Sequence, residues 1–176
     1  AVSVHPDHNY HLIRTNKGLL ILSGEIYTGS KPSGSSAIGK ESAQDVSENL
    51  SLSQFCLTNY GLENLGVVGA CKGSALNLIK LKHPFDDRFV PIVCSKHVTT
   101  DAGTGLVHIA PAHGVDDYVV GQKYNLPVDN PVDNEGKFYN YIPLVGGLSV
   151  WEATEVVVGE LKKNNLLLYS DKFQHS

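Results

Sequence analysis

The sequence predicts an α+β domain with an antiparallel, barrel-like β core and two or three flanking helices. Short apolar runs alternate with turns rich in Gly, Asn and Asp, which is typical of hairpins. Two or three other stretches carry the periodicity and end signals of helices. Hydrophobic residues make up 41% of the chain, so residues 1–176 are long and apolar enough to bury a core and are predicted to form a single domain.

The first predicted element is a β-hairpin. Residues 10–15 and 19–22 are apolar runs, and the intervening residues 16–18 (Asn-Lys-Gly) have the composition of a glycine turn. Residues 28–42 are rich in Gly and Ser and predict a flexible surface loop. Residues 43–59 place spaced apolar side chains among polar ones, which predicts a helix.

Further strands are predicted in the middle of the chain. Residues 65–71 and 76–81 are apolar runs of strand length. Residues 89–98 are rich in β-forming residues, but Pro91 lacks an N–H and therefore favours an edge strand or a bulge. Another strand is predicted at residues 106–109. These strands are expected to supply the β core.

Two helices and a closing strand are predicted in the second half. Residues 116–124 fit a short helix with acids in its first turn, where carboxylates favour the helix dipole. Ser149 and Glu152 form a capping box, which predicts a helix that extends to about residue 165. Its buried side is expected to carry Val156, Val157 and Leu161. Residues 166–169 are predicted to form the closing strand.

Composition and charge exclude several classes of protein. The net charge is −4, so any RNA contact must be local or supplied by other parts of a larger protein. No apolar run approaches the roughly 20 residues of a membrane span, so no membrane partner is expected. The three cysteines are odd in number and far apart, which argues against a disulfide framework and for a reducing intracellular compartment. The absence of Met predicts that the chain is a piece of a larger protein.

One segment concentrates residue types suited to a binding or catalytic site. Gly103 and Gly105 would let the backbone approach a ligand closely. His108 lies at a predicted strand end, and Asp116 and Asp117 lie at a predicted helix N-terminus. A turn, a strand end and a helix start that converge in this way often form the floor of a pocket.

Each of these residues also has an ordinary structural interpretation. A strand histidine such as His108 is often a hydrogen-bonded core residue. Asp116 and Asp117 would stabilise the helix dipole, and the two glycines would serve a turn. From residue types alone both interpretations stay open.

A metal site built from His108, His113, Asp116 and Asp117 is a further alternative. Pro111 interrupts the single helix that zincin-type motifs use, and the spacing of the two histidines matches no established metal motif. The sequence therefore predicts no metal at this site. It also contains no phosphate-binding loop, nucleophile elbow or catalytic cysteine motif.

The same segment resembles the editing insertion (CP1) of the class I aminoacyl-tRNA synthetases for isoleucine, valine and leucine. The resemblance rests on GTGLVHIAPAHGVDDYVVGQKYNLP at residues 103–127. Further matches to the isoleucine enzyme are HPF at 83–85, VPIV at 90–93, NPVDNEGKF at 130–138 and KFQHS at 172–176. Together these segments extend over most of the second two thirds of the chain.

Two positions favour the isoleucine branch of this family. Its members carry His after Leu-Val, as at His108, where the valine and leucine types tend to carry Lys and Met. Those two types also tend to carry Asp where this chain has Gly114. The Pro-Ala-His-Gly sequence resembles the bacterial and organellar branch, so a bacterial cytoplasm or a mitochondrial matrix is the expected location.

The resemblance implies an enzyme that hydrolyses isoleucine tRNA wrongly loaded with valine, with valyl-adenylate as a second substrate to consider. A pocket that admits isoleucine rejects valine poorly, because the two differ by one methylene; the isoleucine enzyme is the standard illustration of this limit. The editing site therefore accepts valine and excludes isoleucine. The resemblance implies no cofactor for editing, whereas the parent enzyme uses ATP and Mg. The expected partners are the tRNA 3′ end and the rest of the synthetase chain, in a monomer.

The resemblance also implies a role for each site residue. Asp117 is expected to bind the α-ammonium of the misloaded amino acid, and His108 to shape the pocket and position the substrate; these are the two catalytic candidates. Oriented water would attack the ester, with backbone N–H groups around 103–105 stabilising the oxyanion. Replacing Asp117 with Ala is expected to abolish deacylation and leave the fold intact. The remaining substrate-binding candidates are Gly103, Thr104, Gly105, His113 and Asp116.

The resemblance is incomplete at one wall of the expected pocket. In the family a threonine-rich strand forms that wall, and it would precede residue 1; Thr99 and Thr100 are not its equivalent. Three alternatives therefore stay open: a non-catalytic module that binds tRNA or a neighbouring domain, a metal-dependent hydrolase, and an editing domain of the valyl or leucyl type.

Overall fold

A computed structural model describes residues 1–24, 60–99 and 103–170. The predicted loop at 28–42 and the predicted helix at 43–59 lie outside these residues. The chain divides into two compact units. The first unit is Ala1–Ile79 with Pro91–Ile109, and the second unit is Lys80–Val90 with Ala110–Ser176. That residues 1–176 form a single domain stays a prediction.

The described residues form a mixture of strands and helices. The strands are β1 (Val2–Val4), β2 (Asn9–Thr15), β3 (Gly18–Ser23), β4 (Asn64–Lys72), β5 (Lys80–Lys82), β6 (Phe89–Cys94) and β7 (Leu106–His108). The helices are a 3₁₀ helix (Gly73–Leu76), α1 (Val115–Tyr124) and α2 (Val150–Lys163). This mixture confirms the predicted α+β class. None of the helices in these ranges combines the length and the apolar character that crossing a membrane requires.

A three-stranded antiparallel sheet, in the order β3-β2-β4, carries a buried apolar cluster in the first unit. The predicted hairpin is confirmed: Thr15 lies opposite Gly18, so residues 16 and 17 alone form the turn. Ile13 and Leu22 pack with Leu62 in a fully buried cluster. Burying each of these side chains stabilises the fold by roughly 1.5–3 kcal/mol.

The second sheet has the order β5-β6-β1-β7 and mixes two directions of pairing. β1 pairs antiparallel with β7, as predicted for the core, but parallel with β6. A parallel pair needs a long connection, and the chain between Val4 and Phe89 provides one. The predicted antiparallel pattern therefore holds for every pair in the first sheet and for β1–β7, and barrel-like closure stays a prediction.

Strand β6 corrects the edge-strand alternative predicted from Pro91, and the bulge alternative stays a prediction. This strand lies between β5 and β1 and is not an edge strand. Within β6, the residues that pair with β1 are Ile92, Val93 and Cys94, so Pro91 precedes the ladder with β1. The missing N–H of the proline therefore removes no hydrogen bond from that ladder.

The predicted strand over 76–81 is largely wrong. The chain forms the 3₁₀ helix up to Leu76, and Leu78 then has a φ of +65°. A residue in this left-handed region cannot belong to a regular strand. Extended pairing starts only at Lys80, the first residue of β5. The apolar pattern fits a strand, but pattern alone does not detect a left-handed residue.

Helix α2 confirms the predicted capping box. The Ser149 hydroxyl accepts the Glu152 N–H at 3.3 Å, and the Glu152 carboxylate accepts the Ser149 N–H at 2.9 Å. Ala153 is buried in the first turn. The side chains predicted to lie on the buried side are half-buried: Val156, Val157 and Leu161.

The segment after α2 corrects a second strand prediction. Residues 166–169 form no strand, and Leu166 is 52% exposed. The Leu166 N–H donates to the Leu161 carbonyl at 2.9 Å, which closes the end of the helix. The first residue of this apolar run therefore terminates the helix and does not start a strand. Of the cysteines in the part of the chain that the structure describes, Cys71 and Cys94 are free thiols.

Candidate functional site

The turn that precedes β7 is held by hydrogen bonds within the first unit. Gly103 and Gly105 have φ values of +77° and +74°, in the left-handed region that glycine adopts without steric cost. The Ser23 N–H, at the end of β3, donates to the Thr104 carbonyl at 3.0 Å. The Thr104 hydroxyl accepts the Leu106 N–H at 3.4 Å. The two glycines thus serve a turn, as their structural interpretation predicts, and this turn has a fixed position.

Tyr10 is the second anchor of this turn. Its side chain is 1% exposed, and its hydroxyl donates to the Gly105 carbonyl at 2.8 Å and accepts the His5 N–H at 2.8 Å. Gly73 makes room for the ring, because a Cβ there would lie 2.9 Å from Tyr10 Cε2. The sequence pattern does not predict this role. Its one signal is a tyrosine in a buried strand, where the hydroxyl needs a hydrogen-bond partner.

His108 occupies the last position of β7, opposite Val2 of β1. Its side chain is exposed, whereas the next residue, Ile109, is 2% exposed. The Ile109 N–H donates to the Ala1 carbonyl at 2.9 Å, which extends the β1–β7 pairing past the imidazole. This exposure contradicts the core position in the structural interpretation of His108 and leaves its hydrogen bonding as a prediction.

Asp117 reaches back from α1 to the chain that precedes the helix. Its Oδ2 accepts the Ala110 N–H at 2.9 Å, across seven residues. The residue is half-buried. A carboxylate offers two oxygens with about four lone-pair positions, so one backbone bond leaves capacity for a cationic ligand. The bond also fixes the orientation of the carboxylate, as productive binding of a ligand amine requires.

The chain between β7 and α1 is packed tightly against the helix. The His113 N–H donates to the Ala110 carbonyl at 2.9 Å. The Pro111 ring lies on α1 at Gly121, where a Cβ would be 2.8 Å from Pro111 Cβ. From the sequence, Pro111 is recognised only as the interruption of a possible metal-binding helix, and its contact with Gly121 is not predicted. These contacts hold the Ala110 N–H in place for the carboxylate.

The remaining predicted residues of the second unit face solvent. Asp116 and His113 are exposed, and Asp116 is the second residue of α1. Gly114 caps this helix without a side-chain bond, so carboxylates in the first turn offset the unpaired backbone N–H groups. A Cβ at Gly114 would lie 3.4 Å from the Asp117 carboxylate. Glycine therefore leaves space beside that carboxylate.

The predicted site residues are divided between the two units. Those in the first unit are Gly103, Thr104, Gly105 and His108, and those in the second unit are His113, Asp116 and Asp117. Across the ranges that the structure describes, no three His, Cys, Asp or Glu side chains are grouped so that they could hold a metal ion. What the geometry offers is a fixed turn in one unit and an oriented carboxylate in the other.

Residues 52–146, more than half of the chain, match the family model described as "Leucyl-tRNA synthetase, editing domain". The chain belongs to this family of editing domains. The editing-domain chain is 44% identical over 176 residues to an isoleucine–tRNA ligase of Nitrosomonas europaea, and 46% identical over 181 residues to one of Dechloromonas aromatica. An isoleucine–tRNA ligase of Coxiella burnetii is 40% identical over 176 residues. The chain is matched over its full length and spans 16% of the length of these relatives.

A solved structure described as "The crystal structure of GlLeuRS-CP1" shares the fold of this editing domain. The two superpose with a TM-score of 0.60 over 97% of this chain and 77% of that chain, at 17% sequence identity. At this identity the likeness concerns the fold alone, and it confirms the predicted class. The relatives with higher identity are isoleucine enzymes, in agreement with the branch that His108 and Gly114 indicate.

Proposed function

We propose that this editing domain hydrolyses the ester bond of isoleucine tRNA wrongly loaded with valine. The observation that carries the proposal is the orientation of Asp117, whose carboxylate is fixed by the Ala110 N–H at 2.9 Å and keeps a second oxygen for a ligand. An editing site must distinguish an aminoacyl ester from other esters. A carboxylate at a fixed position does so by binding the α-ammonium group through charge-assisted hydrogen bonds.

The turn at 103–105 is proposed to stabilise the oxyanion of the tetrahedral intermediate. The carbonyls of Thr104 and Gly105 already accept hydrogen bonds from Ser23 and Tyr10. Because these two carbonyls are hydrogen-bonded within the fold, the turn keeps one orientation during the reaction. Backbone N–H groups of such a pre-organised turn stabilise developing negative charge without reorganising. Oriented water is the nucleophile, because an aminoacyl ester is already activated.

His108 is proposed to limit the size of the amino acid. Its imidazole is exposed at the end of β7, next to the buried Ile109, so it is placed to contact a ligand rather than the core. A wall that clashes with one additional methylene separates two aliphatic side chains better than an attractive pocket, which gains only about 1–3 kcal/mol per methylene. His113 and Asp116 are assigned to the outer part of the substrate site.

The test compares isoleucine tRNA loaded with valine, threonine or isoleucine. Enzymatic release of valine, with isoleucine released at the uncatalysed rate, is the expected result. Equal release of valine and isoleucine would contradict the specificity, and no release of any amino acid would favour a non-catalytic module. The assay is run with this chain alone and with the threonine-rich segment of its relatives added before residue 1. A repeat with a chelator separates this mechanism from that of a metal-dependent hydrolase, which would lose activity.

A leucyl-type specificity is the second candidate, since the matching family model is described as a leucyl-tRNA synthetase editing domain. Leucine tRNA loaded with isoleucine is the discriminating substrate. An isoleucine-type domain leaves isoleucine attached to either tRNA, whereas a leucyl-type domain hydrolyses the ester and releases isoleucine. The 40–46% identity to isoleucine–tRNA ligases supports the isoleucine type.

The partners of the domain follow from the same proposal. They are the tRNA 3′ end and the rest of a longer synthetase chain, whose aminoacylation uses ATP and Mg while editing needs no cofactor. The relatives named above come from bacteria, which supports a bacterial cytoplasm, with a mitochondrial matrix as the other proposed location. A monomer is proposed.

A further inference from the structure

The β5–β6 hairpin presents two lysines and a phenylalanine on one face, and these three residues belong to the second unit. Two backbone hydrogen bonds set its antiparallel register. The His83 N–H donates to the Arg88 carbonyl at 2.9 Å, and the Ile92 N–H donates to the Ile79 carbonyl at 2.8 Å. In this register Lys82 lies opposite Phe89. Lys80 shares the same face, because side chains alternate along a strand. These three residues are named the Lys–Phe face.

The Lys–Phe face is exposed to solvent. Lys80 and Lys82 are exposed, and Phe89 is 66% exposed. The opposite face of the hairpin carries Leu81 and Val90, which are both half-buried. The alternation therefore leaves a large aromatic ring in water beside two cations, although one face of the hairpin is already used for packing.

The charges around this hairpin leave the two lysines as its uncompensated cations. Arg88 is neutralised, because its Nε lies 2.7 Å from Asp86 Oδ2. Asp87 is exposed in the turn of the hairpin. Neither Lys80 nor Lys82 forms an ion pair with any residue in the described ranges. The face is thus a local positive patch on a chain with a net charge of −4.

We propose that the Lys–Phe face binds RNA, with Lys80 and Lys82 on backbone phosphates and the Phe89 ring stacked on an unpaired base. The inference rests on the proposed function, in which a tRNA is the substrate, and it adds a binding surface outside the reacting centre. Because the chain is acidic overall, phosphate is attracted only where cations are concentrated. Lysines contact phosphates without reading sequence, and every base has a face on which an aromatic ring stacks.

The combination of residues favours RNA over an apolar protein partner. An exposed phenylalanine alone would fit either. Two flanking cations without carboxylate partners would lose hydration under an apolar partner and gain nothing in return. Against a nucleic acid, each cation releases a condensed counterion, which makes binding favourable and dependent on salt.

The experiment measures binding of two RNA probes to the 176-residue chain at several salt concentrations. One probe is a transcript of isoleucine tRNA that carries no amino acid. The other is a blunt duplex of its acceptor stem that lacks the single-stranded end. One variant is Lys80→Ala with Lys82→Ala, and another is Phe89→Ala. The control is Lys162→Ala with Lys163→Ala, which removes two exposed lysines of α2 and changes the net charge equally.

We expect the double substitution at 80 and 82 to weaken binding of both probes and to reduce the slope of log K against log salt by about 1–2. Phe89→Ala should weaken binding of the transcript about tenfold and leave the blunt duplex unaffected. The control should bind as the unmodified chain does. The inference is overturned if the control weakens binding as much as the variant, if no variant changes binding, or if the unmodified chain binds neither probe. Equal weakening of both probes by Phe89→Ala would exclude the stacked base.

A second readout separates this inference from the proposed function. Valyl-adenosine contains the reacting ester without the RNA, so the variant at 80 and 82 should hydrolyse it normally and show only a raised KM for valine-loaded tRNA. If the unmodified chain binds RNA through this face but hydrolyses neither ester, either alone or with the threonine-rich segment added before residue 1, the proposed function fails and the inference stands. If it hydrolyses valyl-adenosine and the variant retains its KM for the tRNA, the inference alone fails.

Discussion

Two turns of this molecule are fixed in opposite ways. The turn at 103–105 is held through its backbone carbonyls by groups that are distant in sequence, such as the Tyr10 hydroxyl, 95 residues from Gly105. The turn that leads into α1 is held by a local side chain, since Asp117 accepts the N–H of Ala110 only seven residues earlier. In the first turn the Thr104 and Gly105 carbonyls are bonded within the fold, and its backbone N–H groups are the ones proposed to stabilise the oxyanion. In the second, the group that fixes the turn is itself charged and retains capacity for a ligand.

This difference determines what a substitution can reveal. A distant anchor such as Tyr10 touches no proposed ligand, so its loss reports on stability. Asp117 has two functions at once, because it supports the turn and is proposed to bind the substrate amine. A substitution that separates the two functions is therefore more informative than one that removes the side chain.

The largest effect is expected at Asp117. Asp117→Asn keeps an oxygen that accepts the Ala110 N–H and removes the negative charge. A charge-assisted hydrogen bond contributes about 1.5–3 kcal/mol, so deacylation of valine-loaded tRNA should fall by about 10- to 150-fold. The unfolding free energy should change little. Rates come from release of labelled valine, and stability from urea denaturation.

Asp117→Ala is the matched comparison, and the expectation that it leaves the fold intact stays a prediction. It removes the acceptor of the Ala110 N–H as well as the charge, so a further loss of about 1–3 kcal/mol in unfolding free energy is expected. If Asn retains full deacylation while Ala loses stability, Asp117 has only its structural function, and its proposed contact with the substrate is wrong.

The second effect tests the distant anchor. Tyr10→Phe leaves the Gly105 carbonyl and the His5 N–H without the hydroxyl that now bonds both. Because Tyr10 is 1% exposed, water has little access to these groups, and a loss of about 1–3 kcal/mol in unfolding free energy is expected. Denaturant curves measure it. Equal stability of Tyr10→Phe and the unmodified chain would mean that the turn does not depend on this hydroxyl.

The same contrast explains how much the sequence predicts. The hairpin, the capping box and α1 follow from patterns within a few residues, and their predictions are confirmed. The left-handed Leu78 interrupts one apolar run, and the Leu166 N–H closes the end of α2 at the start of the other, so those two strand predictions are wrong. Within the site, residue types and family resemblance indicate Asp117 and His108. The contacts with Tyr10 and Gly121 depend on three-dimensional packing that no local pattern encodes.

A third effect sharpens the local side of the comparison. Gly121→Ala would place a Cβ 2.8 Å from the Pro111 ring, so the ring must shift. The Ala110 N–H, which precedes the proline and is held in place by its packing, would shift with it. Overpacking of this kind costs about 1–3 kcal/mol, offset by up to about 1 kcal/mol from the higher helix propensity of Ala. Gly159→Ala in α2 is the control, because a Cβ at that position would meet no heavy atom within 4 Å beyond its own helix backbone and chain neighbours. Gly159→Ala should raise the melting temperature, whereas Gly121→Ala should lower it. If both variants melt at a higher temperature, the Pro111 ring moves away from the added Cβ at no cost in stability.

The smallest effect concerns a local anchor far from the proposed site. The Ser149 hydroxyl, and after it the Ser149 N–H, lower the pKa of Glu152 from its ordinary value of 4.5. A carboxyl with a lowered folded-state pKa contributes stability above its unfolded pKa, and this contribution is lost as the pH falls through the folded value. Glu152→Gln should therefore be less stable than the unmodified chain at pH 7, and the two should converge as the pH falls below the lowered folded-state pKa of Glu152. When both chains also carry Ser149→Ala, most of this pH-dependent difference between Glu152 and Gln should disappear, because the Ser149 hydroxyl is the main cause of the lowered Glu152 pKa. Melting curves that stay a constant distance apart from about pH 7 to about pH 3 would show that the capping box acts through geometry alone, with no contribution from the charge of Glu152.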